Sequence, residues 1–150
     1  MKLEDKLNKS IIESMKSKNV IRLESLRSIK SALILLKTKH RNSLISEIEE
    51  IQMLQKLVKQ RKESSSIFKD QNRIDLAEQE DTQAKIISEF LPKQLSREEI
   101  ENIIVKIIIQ TQASSMKDMG QVMSEASIKL AGKADGKTIS IIVREKLTKT

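Results

Sequence analysis

Apolar residues return at every third or fourth position along almost the whole chain, a period that marks one buried stripe of an α-helix. Leu3, Leu7, Ile11 and Met15 begin the pattern, and Leu23, Leu26, Ile29, Leu33 and Leu36 continue it. Two helices are expected there, with Asn19 as the cap between them, because its side chain can accept from the free N–H groups of the following turn. Ser46-Glu47-Ile48-Glu49 reads as a capping box for a third helix, with Ile48, Ile51, Leu54, Leu57, Val58 and Phe68 inward. The stretch from Asn72 to Asp75 offers a similar start to a fourth, which buries Ile74, Ala77, Ala84, Ile87 and Leu91.

Pro92 is the sole proline, and it stands where one helical pattern stops and another begins. Ser96-Arg97-Glu98-Glu99 forms another capping box, followed by Ile100, Ile103, Ile104, Ile107 and Ile108. The β-branched run from Ile103 to Ile109 suits a buried strand by propensity, but the cap, the length and the lack of a partner strand favour helix. A sixth helix is expected from Ser115 to Leu130, with Met116, Met119, Val122, Met123, Ala126 and Leu130 inward and Gly132 ending it. A seventh starts near Asp135 and buries Ile139, Ile142, Val143, the stem of Lys146 and Leu147. The expected fold is therefore all-α: an N-terminal helical bundle of about four helices over residues 1–92, then a small three-helix C-terminal tail over 93–150. Only 3 Gly and 1 Pro, with 38% hydrophobic and 33% charged residues, fit ordered helices rather than disorder.

Chemistry is hard to assemble from these residues. Cys is absent, and His40, the one histidine, is placed near the negative end of the second helix, where a structural role is expected. No Ser-His-Asp set, Cys-His pair or ordinary zinc site can be built within one chain. Glu47, Glu49 and Glu50, and Glu78, Glu80 and Asp81, cluster in sequence, but consecutive placement spreads them around a helix as a solvated face. Ser64-Ser65-Ser66 and Ser114-Ser115 lack a neighbouring base, and Gly120, Gly132 and Gly136 match no phosphate-binding loop. Met116, Met119 and Met123 form a stripe read as core filling. The expectation is no catalytic residue, no metal, no cofactor and, on balance, no enzyme. The charged start Met1-Lys2-Leu3-Glu4-Asp5-Lys6 and an apolar run no longer than Ala32 to Leu36 predict a cytoplasmic location without a membrane span.

Charge carries more information. The formal net charge is +7, and residues 1–45 hold 11 Lys/Arg against 4 Asp/Glu, 46–91 hold 7 against 10, and 92–150 hold 10 against 7. Such asymmetry points to a polyanionic partner or to a Lys- and Ile-rich composition of no functional meaning. Arg27, Lys30, Lys37 and Arg41 share one face of the second helix and make a basic ridge about 20 Å long, readable as a phosphate contact or as a solvated face. Lys117, Lys129, Lys133, Lys137 and Arg144 form a second basic group around the tail helix ends. Trp and Tyr are missing, and Phe68 and Phe90 read as core, so single-stranded bases have no stacking platform. Structured RNA or a protein surface is the expected partner, not DNA.

Several segments together resemble the YqeY-like family. They are Arg22 to Leu33 (RLESLRSIKSAL), Val58 to Ser64 (VKQRKES), Arg73 to Glu80 (RIDLAEQE), Phe90 to Ser96 (FLPKQLS), Ala113 to Gly120 (ASSMKDMG) and Gly132 to Lys137 (GKADGK). The resemblance covers nearly the whole chain in order. That family is similar to the appended C-terminal domain of the B subunit of glutamine-dependent aspartyl/glutamyl-tRNA amidotransferases, a family of carbon-nitrogen ligases. The resemblance implies a longer helical bundle, a small helical tail, and contact with a tRNA body rather than amide transfer. Segments resembling Gly120-Gln121-Val122-Met123 and Gly132-Lys133-Ala134-Asp135 lie in that tail, which makes Lys133 and Lys137 the carried-over RNA contacts. This sequence departs at Gly136, where the amidotransferase pattern usually has proline. The resemblance transfers no catalytic residue, and it leaves a protein partner in tRNA metabolism and translation as the alternative.

Overall fold

The structure, a computed structural model, describes residues 2–41 and 44–148. The order of elements is α1 (Leu3–Ser17), α2 (Val20–His40), α3 (Glu47–Asp70), α4 (Ile74–Ser88), α5 (Arg97–Thr111), a 3-10 turn at Met116–Asp118, α6 (Met119–Lys129) and α7 (Gly136–Thr148). Among the described residues there is no strand, and the fold is all-α. The chain divides into two compact units, residues 1–91 and 92–150.

In the first unit α3 and α4 form a helical hairpin, joined by a short turn at Asn72, whose φ is 58°. Helix α2 packs on both α4 and α1. Leu7, Leu26, Ile29, Leu54 and Ile87 close this core, each less than 3% exposed. Burying a side chain of this size contributes about 1.5–3 kcal/mol against leaving it in water. Asn19 caps α2, its side chain accepting the Arg22 N–H at 3.1 Å. Ser46 and Glu49 complete a capping box on α3.

The second unit has its own core, in which α5 supplies Ile100, Ile104 and Ile107, α6 supplies Val122 and Ala126, and α7 supplies Ile139, Ile142, Val143 and Leu147. Ser96 and Glu99 make the capping box of α5. The β-branched run of α5 is helical throughout, because the apolar stripe closes against α6 and α7 and overrides strand propensity.

The structure corrects several inward positions. Met15, Ile48, Ile74 and Met116 are exposed, between 42% and 54%. Each sits in a terminal turn, where the sequence period continues but no partner helix covers the side chain. The expected cap at the start of α4 is not made either: Arg73 occupies that position with no side-chain cap bond, and its guanidinium pairs with Asp75 at 3.3 Å. The Ser115 capping box opens the 3-10 turn rather than α6. Phe68 and Phe90 are both half-buried, and Phe90 packs on the first core.

Candidate nucleic-acid interface

Helix α6 ends at Lys129, and Gly132, with φ 74°, lets the chain reverse toward α7. The turn is pinned from three directions. The Lys133 N–H donates to the Leu130 carbonyl at 2.9 Å, and the Lys133 carbonyl accepts the Leu95 N–H at 2.9 Å. Gln94 Nε2 donates to the Gly132 carbonyl. Beyond the turn, Asp135 caps α7, its carboxylate accepting the Thr138 N–H at 2.7 Å. The backbone of Lys133 is therefore fixed while its side chain is exposed.

Lys137 lies in the first turn of α7, and Arg144 stands two turns further on the same face, about 10 Å along the axis. Lys129, in the last turn of α6, reaches Gln110 Oε1 only at 3.4 Å. Lys117 projects from the 3-10 turn, whose backbone is held by the Asp118 carboxylate accepting the Ser114 N–H at 2.8 Å and the Ser115 N–H at 3.4 Å. Those two N–H donors hold the Asp118 carboxyl below its usual range. All five cations are exposed, and none enters an ion pair among the described residues.

The ridge on α2 is different. Lys30 Nζ donates to Asn8 Oδ1 at 2.9 Å, and Lys37 pairs with Glu4, so both are tied to α1. The Lys37 hydrogen bond holds the Glu4 carboxyl below its usual range. Arg27 and Arg41 are exposed without an ion pair among the described residues. Of the four ridge residues, Lys30 and Lys37 thus form an interhelix seam, while Arg27 on α2 and Arg41, one residue past its end, stay open.

His40, the last residue of α2, meets Glu49 at 2.5 Å, and Glu49 also accepts from Ser46. This clasp joins the end of α2 to the first turn of α3. The neighbouring acids are not uniformly solvated, which corrects the expectation for Glu47, Glu49 and Glu50. Glu50 is half-buried, and burial first, then the charge of Glu47, raises its pKa against the opposing Lys37. In the second acidic cluster Glu80 Oε2 is buried, 3.9 Å from Arg61 Nε.

Arg61 is the group that sequence reasoning passed over. Its Nε donates to Gln83 Oε1 at 2.8 Å and a terminal nitrogen donates to Ser28 Oγ at 2.8 Å, so one guanidinium joins α3, α4 and α2. Spacing offers no clue to it, since its partners lie 22 and 33 residues away. The described residues contain no group of three or more His, Asp or Glu that could hold a metal ion, and no helix among them is long and apolar enough to cross a membrane.

The Yqey-like protein family matches residues 4–147 of the chain. A relative in Thermococcus gammatolerans, the E subunit of a glutamyl-tRNA(Gln) amidotransferase, is 44% identical over 57 residues, 35% of this chain and 9% of that relative. The chain thus spans about a tenth of the relative's length. An uncharacterised protein of Schizosaccharomyces pombe is 29% identical over 90 residues, 60% of this chain and 72% of that protein.

Proposed function

The chain belongs to the YqeY-like family, and from that premise we propose that it is a non-catalytic helical module binding tRNA or a related structured RNA. The observation that carries the reading is the second unit's set of five exposed cations without ion pairs: Lys117, Lys129, Lys133, Lys137 and Arg144. Lys133 and Lys137 flank the N-terminus of α7, whose backbone is already capped by the Asp135 carboxylate, so the two lysine ammonium groups rather than the helix end would meet a phosphate. A relative named for an amidotransferase of glutamyl-tRNA supports the class of RNA. The absence of Trp and Tyr supports a backbone and shape reader over a base-stacking one. Arg27 and Arg41 are the part of the α2 ridge left for a phosphate, while Lys30 and Lys37 serve the fold.

The test is tRNA binding across a salt series at fixed pH. The reading expects affinity to fall with a log-log slope of roughly −0.7 to −0.9 per phosphate contact, and Lys133→Gln with Lys137→Gln to make that slope shallower by about two contacts. No binding at low salt, or a slope unmoved by the double variant, refutes it.

A further inference from the structure

Helices α2 and α3 meet only sparsely, and between them runs an open groove of about 450 Å³. Ala32, Leu35, Leu36 and Lys39 of α2 form one wall, at i, i+3, i+4 and i+7. The facing wall repeats the spacing with Glu49, Gln52, Met53 and Lys56, and Leu57 closes its floor. The α3 wall, from Glu49 to Gln60, is about 16 Å long, close to three helical turns. Leu35 is 66% exposed and shares its wall of the groove with Ala32 and Leu36.

We propose that this groove docks an amphipathic helix of a partner protein whose apolar stripe is flanked by acidic residues. Two facing stripes at helical spacing present the complement of a third, and a helix laid between them would cover Leu35, Leu36, Met53 and Leu57. Charge selects among such helices. Lys39 on one wall and Lys56 on the other are exposed and enter no ion pair among the described residues. Glu49, the one acid on the walls, is already engaged by His40 and Ser46. The free charge on both rims is therefore positive, and carboxylates on the two edges of an incoming helix would meet it. Met53 adds a side chain that adapts its shape to the occupant. The groove lacks aromatic side chains for base stacking, so its chemistry favours a protein helix over RNA. This docking surface is independent of the tail cations and of the RNA reading.

Methyl-labelled methionine makes the test direct, because Met53 is the one methionine among the described residues that lines the groove. The probe is a synthetic amphipathic helix with leucines at i, i+3, i+4 and i+7 and glutamates on both flanks, titrated into the full chain. The expected result is a shift of the Met53 methyl signal with Met119 and Met123 unmoved. Leu35→Asp, or Lys39→Glu with Lys56→Glu, should weaken binding about tenfold or more. Leu35 is exposed, so far-ultraviolet circular dichroism of Leu35→Asp and of the milder Leu35→Ala should match the parent, separating lost docking from lost fold. An unmoved Met53, an equal response to the same peptide with lysine in place of glutamate, or a Met53 shift on adding tRNA instead of the peptide overturns the proposal.

Discussion

Glu50 lies in the first turn of α3, half-buried, with a pKa raised chiefly by burial. A carboxyl whose folded pKa exceeds its unfolded value holds its proton more tightly in the native state, so it makes native stability fall as pH rises through that range. Glutamine at this position has no proton to lose. The melting temperature of Glu50→Gln minus that of the parent should therefore grow between about pH 3.5 and about pH 7; a difference that stays flat or shrinks contradicts the burial argument. Glu4 runs the other way. Its pKa is lowered by Lys37, so its contribution is present at neutral pH and is lost as pH falls through its folded pKa. These two residues also mark the limit of what spacing reveals. Periodicity puts Arg27, Lys30, Lys37 and Arg41 on one face of α2, but it cannot say that α1 folds back along that face. The partners Asn8 and Glu4 are 22 and 33 residues from the lysines they engage, a separation no local pattern encodes.

At the scale of elements, α5 is the sharpest case, because its β-branched run fits strand by propensity and helix by pattern. The two readings differ in which residues share a face. In a strand Ile107 and Ile109 would point the same way, whereas in a helix they lie about 200° apart. Ile107 is fully buried and Ile109 is 69% exposed, as the helix requires. Ile107→Ala should thus cost about 2–5 kcal/mol in denaturant unfolding, and Ile109→Ala should stay within about 0.5 kcal/mol. Similar costs for both would contradict the helical register. Helix positions were legible in the sequence because caps and stripes are local: Asn19, Ser46 and Ser96 each accept the backbone N–H three residues on. Terminal turns were not. Met15, Ile48, Ile74 and Met116 continue their stripes, yet whether a side chain there is covered depends on how far another helix extends.

For the molecule as a whole, the formal charge of +7 overstates what a polyanion could meet. Lys30 and Lys37 are spent on α1, Arg61 on α4 and α2, and Arg97 on Glu101 and Glu145. Among the open cations of the tail, Lys117, Lys129 and Lys133 stand at or beside turns held by backbone hydrogen bonds, so their points of attachment are fixed before any partner arrives. That distinction predicts how variants divide. Replacing Lys133, Lys137 and Arg144 together with glutamine should make the salt slope of tRNA binding shallower by about two to three contacts, with the melting temperature nearly unchanged, since each side chain is exposed. Replacing Lys30 and Lys37 should leave the slope within about one contact of the parent and instead lower the melting temperature, because those two lysines tie α1 to α2. Measured side by side, the two sets assign each cation to folding or to binding. A reversed pattern, in which the α2 lysines control the slope and the tail cations control stability, would place the RNA contact on the first unit and remove the tail from it.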